Sequence, residues 1–130
     1  MSYNFDKDQN HYFFKNNNSI PLVFIHGVGL NQGMWQPQIS YFKDETILTY
    51  DLLGHGKTKC NKNTIKIEDF RSQLKNLLVN LNIQKINLVG FSIGSLIAFF
   101  MVLFLPLRFF SELIGGGISL LSKGAAHNAK

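Results

Sequence analysis

Three short apolar runs, each stopped by a turn residue, constrain this chain more than any other feature. They are PLVFIHG (residues 21–27), ETILTYD (45–51) and KINLVG (85–90). Continuous apolar runs of this length, ending at glycine or aspartate, are the pattern of strands buried on both faces. A further short strand is read at HYFFK (11–15), followed by the turn NNNS (16–19), where asparagine tolerates the left-handed conformation. Between the runs the apolar period changes. Ile67, Phe70, Leu74, Leu77, Leu78 and Leu81 recur at steps of three and four, which predicts one face of a helix. Glu68 and Asp69 stand in its first turn, where the helix dipole favours negative charge. A weaker helix is read over 34–42, with Trp35, Ile39 and Phe42 as its apolar side, and KTKCNKNT (57–64) reads as a polar connecting loop. Alternation of strand and helix predicts an α/β fold, a parallel sheet covered by helices.

The third run leads directly into Gly90-Phe91-Ser92-Ile93-Gly94 and then a long apolar stretch. Gly-x-Ser-x-Gly has meaning only between a buried strand and a helix, and both flanks are read here. In that setting the serine occupies a tight strand-to-helix turn. Small neighbours let strand and helix approach, Ser92 is lifted clear, and the N–H of Ile93 points toward the same space. The first run ends in HGVG (26–29), whose turn can aim the N–H of Val28 at that space too. The second ends in YDLLGHGKT (50–58).

These three pieces, in this order and spacing, resemble the N-terminal half of the α/β-hydrolase family. They are most similar to its serine esterases, lactonases and cofactor-free peroxidases. The resemblance spans roughly residues 11–114. It implies an incomplete α/β-hydrolase sheet, mostly parallel, with Ser92 as nucleophile and Val28 and Ile93 as oxyanion-hole donors. It further implies Phe91 and Trp35 as substrate-pocket candidates, a small ester or lactone as substrate, and no cofactor or metal. A serine at position 92 is unlike the haloalkane dehalogenases and epoxide hydrolases of that fold, where the resemblance would call for aspartate. His26 is expected to shape the oxyanion turn, His55 to pack in its glycine-flanked loop, and Asp51 to end a strand and satisfy backbone donors.

Length and composition agree with one globular domain: 130 residues, 45% hydrophobic and 16% charged, enough apolar content for a core. The net charge of +5 comes from lysines set beside asparagines rather than aromatic clusters, which reads as a generally basic surface and not a nucleic-acid face. Cys60 is the single cysteine, so an intramolecular disulfide and a cysteine-rich metal site are excluded and a cytosolic setting is expected. The polar start MSYNFDKDQN does not read as a signal peptide. Residues 86–105 are long enough for a membrane span, but Asn87, Gly90, Ser92, Gly94 and Ser95 crowd their first half. That stretch is read as strand, turn and buried helix.

A serine hydrolase also needs a base and an acid, which in this fold follow the serine in the chain. After Ser92 the sequence offers one acid, Glu112, and one histidine, His127. Glu112 falls where the resemblance places the next strand, and His127 lies in the small polar end KGAAHNAK. The expectation is therefore a hydrolase half-domain over 1–114 and a divergent tail over 115–130, cut before the acid and the base. The alternatives are an inactive remnant or a small membrane-associated protein. An open sheet edge would favour self-association.

Overall fold

The computed structural model describes residues 2–103. Strands β1 (Tyr3–Phe5), β2 (His11–Lys15), β3 (Leu22–Ile25), β4 (Ile47–Tyr50) and β5 (Asn87–Gly90) form one sheet in the order β1-β2-β4-β3-β5. β3 pairs in parallel with β4 and with β5, while β2 pairs antiparallel with β4 and with β1. The sheet is thus mixed: a parallel centre with an antiparallel flank. β1 lies in the segment read only as a polar start. Its three residues are half-buried or exposed, so no apolar run marks it.

Alternation along the strands divides the core. Val23 and Ile25, Leu48 and Tyr50, and Leu88 point to one side, where helices α2 (Ile67–Asn80) and α3 (Ile93–Leu103) pack. Phe70, Leu74, Leu77 and Leu78 are the buried face of α2, as their spacing predicts. Leu22, Phe24 and Ile47 point to the other side, against Trp35 and Ile39. The helix read over 34–42 is broken there into a 3-10 turn (Gln32–Trp35) and α1 (Gln36–Tyr41). Asn31 caps the first piece by accepting the Gly33 N–H, and Pro37 opens the second, where its missing N–H costs nothing.

One expectation changes on the α3 side. α3 buries Gly94, Ile97 and Met101 against the sheet, but Leu96, Phe99 and Leu103 are each about half exposed, so among the described residues it is not enclosed on all sides. β5 is a sheet edge among the described residues, yet it is only four residues long. No helix among the described residues is long and apolar enough to cross a membrane. The strand expected near Glu112, His127 and the tail over 115–130 lie outside the described residues.

Candidate active site

β5 ends at Gly90 and the chain turns sharply into α3. Ser92 sits at the turn with φ 57°, a left-handed conformation that few non-glycine residues adopt and that costs about 1–3 kcal/mol. The turn is held by backbone bonds. Gly94 N–H donates to the Phe91 carbonyl at 2.9 Å, Ser95 N–H to that of Ser92 at 2.9 Å, and Phe91 N–H to that of Ile25 at 3.0 Å. Ser95 Oγ adds a 2.8 Å bond to the Gly90 carbonyl. A Cβ at Gly94 would land on the Ile25 carbonyl, and one at Gly90 would strike the backbone of Gly94 and Ser95. Both glycines are therefore required by close backbone approach. Ser92 and Phe91 are left exposed at the top of the turn.

The loop after β3 meets this turn from the other side. A Cβ on Gly27 would stand 3.1 Å from the Phe91 ring and 3.2 Å from Ser92 Cβ. His26 locks the loop. Its Nε2 accepts the Leu52 N–H at 2.9 Å, so the proton resides on Nδ1, which donates to the Gly27 carbonyl at 2.8 Å. Leu30 N–H donates to the same carbonyl. In a trans peptide the N–H opposes the C=O, so tying down the Gly27 carbonyl turns the Val28 N–H the opposite way. Neither Val28 N–H nor Ile93 N–H donates to a protein acceptor among the described residues. Burial lowers the His26 pKa and His55 adds to this, outweighing the Gly27 bond and Asp51, which act upward. His26 is thus a neutral clamp with both ring nitrogens engaged.

The loop after β4 closes the same end of the sheet. Asp51 is buried and accepts the Gln32 N–H at 2.8 Å, the Lys57 N–H at 3.0 Å and His11 Nδ1–H at 2.7 Å. Burial pushes its pKa up, but those donors together overcome that and hold it below the ordinary carboxylate value. Gln73 on α2 reaches the Asp51 carbonyl at 2.9 Å and accepts the Leu53 N–H at 3.0 Å. His55 bonds the Leu53 carbonyl and packs 5.3 Å from the His26 ring. His11, Gln32 and Gln73 were not singled out in the sequence, and no local spacing marks them, because the groups they bond lie 19 to 40 residues away.

Trp35 stands apart from the turn. It is 6% exposed and packs on Phe24, ring centres 4.9 Å apart, in the cluster beneath the sheet. Its position is that of a core residue. No hydrogen bond reaches Ser92 Oγ among the described residues. His11 is committed to Asp51, and His26 has no free nitrogen. No group of three or more His, Cys, Asp or Glu side chains among them could hold a metal ion.

Two outcomes follow from this geometry. Gly94→Ala should cost about 3 kcal/mol or more, because the Ile25 and His26 backbone already occupies the space of the new methyl. Ser95→Ala should cost about 1 kcal/mol, one hydrogen bond. Urea denaturation of the two variants measures the contrast. For His26, the folded pKa lies below the unfolded value of 6.5, so its contribution is complete above pH 6.5 and is lost as pH falls through the folded value. The parent protein should therefore lose more stability between pH 7 and pH 5 than His26→Gln does, read by denaturation at both pH values.

The family model described as "alpha/beta hydrolase fold" matches residues 20–111. Among curated proteins, the chain is 37% identical over 87 residues to the (E)-2-((N-methylformamido)methylene)succinate hydrolase of Acinetobacter baylyi, covering 66% of this chain and 33% of the relative. It is 30% identical over 114 residues to 3-oxoadipate enol-lactonase 1 of the same organism, covering 87% of this chain and 42% of the relative. Among solved structures, one reported with carboxylesterases of Nitrososphaera gargenis superposes with a TM-score of 0.67 at 26% identity, over 78% of this chain and 40% of that one. The chain thus spans well under half the length of these relatives. Fold, turn and family match agree: the chain belongs to the α/β-hydrolase family.

Proposed function

We propose that this chain carries the nucleophile and oxyanion half of a serine hydrolase acting on carboxylic esters or lactones. The observation that carries the reading is Ser92 held at φ 57° with Gly27 packed against it. Ser92 Oγ attacks the substrate carbonyl carbon, and the oxygen that becomes negative takes hydrogen bonds from the Val28 and Ile93 N–H groups. A base accepts the Oγ proton and returns it to the leaving group, and water then releases the acyl group from Ser92. Phe91, exposed beside the nucleophile, forms part of the substrate wall. Trp35, packed on Phe24, serves the core beneath the sheet in this reading. The similarities to a lactonase and to carboxylesterases support the substrate class. A cytosolic setting completes the reading, on the single Cys60.

The base and the acid come from outside residues 2–103 or from another chain. One observation favours a second reading, a chain with no Ser92-dependent turnover: no described histidine bonds Ser92 Oγ. Hydrolysis of p-nitrophenyl acetate by the full chain separates the two. The hydrolase reading expects turnover that Ser92→Ala lowers by about a thousandfold or more. Equal rates in both proteins decide for the second reading.

Association of two copies through β5 is proposed too, because β5 is an edge strand among the described residues and an edge presents unpaired peptide groups. Sedimentation velocity across a concentration series should show a growing dimer, and a monomer at every concentration would exclude it.

A further inference from the structure

Among the described residues, the loops at the Ser92 end of the sheet carry exposed lysines and no exposed carboxylate between residues 51 and 66. The loop after β4 turns at Gly54 and Gly56, both at positive φ (74° and 52°). A Cβ on Gly56 would collide with the Asp51 carboxylate, so the loop lies directly on that group. Asp51 then bonds the Lys57 N–H with one oxygen and the Gln32 N–H with the other. This fixes the root of Lys57 beside the segment that follows the Gly27 turn. Two residues earlier, His55 packs on His26, whose neighbour Gly27 abuts Ser92. Lys57 and Lys59 are exposed, and because β4, β3 and β5 run parallel, the loop that carries them leaves the same end of the sheet as the Ser92 turn.

Residues 57–66 hold four lysines and no acid. Asp69 neutralises Lys62 at 2.5 Å, but no ion pair among the described residues neutralises Lys57 or Lys59. Two described segments that meet at Ser92, residues 26–30 and 90–96, contain no aspartate, glutamate, lysine or arginine. The carboxylate closest to the loop, Asp51, is 2% exposed and accepts three hydrogen bonds. An approaching anion therefore meets cations and no exposed carboxylate in these segments. Within a Debye length, about 10 Å at 0.1 M salt, two such cations raise the local concentration of an anion and repel cationic competitors.

We infer that the substrate is anionic: a small ester or lactone with at least one free carboxylate, which lies toward Lys57 and Lys59 while its reacting carbonyl sits at Ser92. The inference rests on the hydrolase reading of Ser92. Exposed lysines add modest affinity and a larger preference between charged and neutral ligands.

The test titrates the ¹⁵N-labelled full chain with glutarate and, in parallel, with its neutral dimethyl ester, following the amides of Gly27, Lys57, Lys59 and Ser92. At low salt, glutarate should bind about fivefold tighter than the diester, and about 0.5 M sodium chloride should erase the preference. Lys57→Gln with Lys59→Gln should abolish it. Lys43→Gln with Lys75→Gln removes the same charge at exposed positions outside that loop and should retain it. Equal affinity for the two ligands in the parent overturns the inference, as does equal loss of preference in both double variants. The Ser92→Ala assay is read separately. A glutarate preference with Ser92-independent hydrolysis would sink the hydrolase reading and leave an anion site. Ser92-dependent hydrolysis without a preference would sink only the anionic substrate.

Discussion

One buried carboxylate, Asp51, ties together the segments that meet at the C-terminal end of the sheet. Removing a charge from water is costly unless its oxygens are bonded. Here donors come from His11 on β2, from Gln32 at the start of the 3-10 turn and from Lys57 in the loop after β4. The Asp51 carbonyl is claimed in turn by Gln73 on α2. Four segments far apart in sequence thus share one residue, and each would leave a buried polar group unpaired if it moved alone. The Ser92 turn inherits its surroundings from this arrangement through His26, which couples Leu52 to Gly27.

The parallel centre of the sheet was legible because burial on both faces needs continuous apolar runs, and β3, β4 and β5 sit inside the three that were read. The α2 face was legible for the same reason at a different period. β1 was not, since Tyr3, Asn4 and Phe5 pair at an edge and bury little, which leaves no apolar signature. The break at Gln36 was hidden because a 3-10 turn and a following α-helix share almost the same apolar spacing over so few residues.

At the site, the Gly90 to Gly94 turn was legible from its two glycines, and close approach to the Ile25 carbonyl explains why no other residue fits at 94. The clamp role of His26 and the donor-satisfying role of Asp51 agree with their expected structural parts. Trp35 was a pocket candidate by resemblance alone, and nothing in its own sequence neighbourhood showed that its side chain would pack under the sheet on Phe24. His11 and Gln73 could not be found from spacing, because their partners lie 40 and 22 residues away.

The α3 helix has two apolar faces, and only one is used by the sheet among the described residues. Ile97 and Met101 supply the buried contact, while Leu96, Phe99 and Leu103 form a stripe at steps of three and four on the opposite side. A stripe of that spacing is what a helix presents to a second packing layer, so α3 carries more apolar surface than the described sheet uses.

The clamp on Gly27 has a consequence for biosynthesis. Every hydrogen bond described around Ser92 and its neighbouring loops comes from residues between His11 and Ser95. The partners that shape the serine turn are therefore all present once residue 95 has left the ribosome. The conformation of the Ser92 turn can thus be set by early chain, independently of anything made after residue 95.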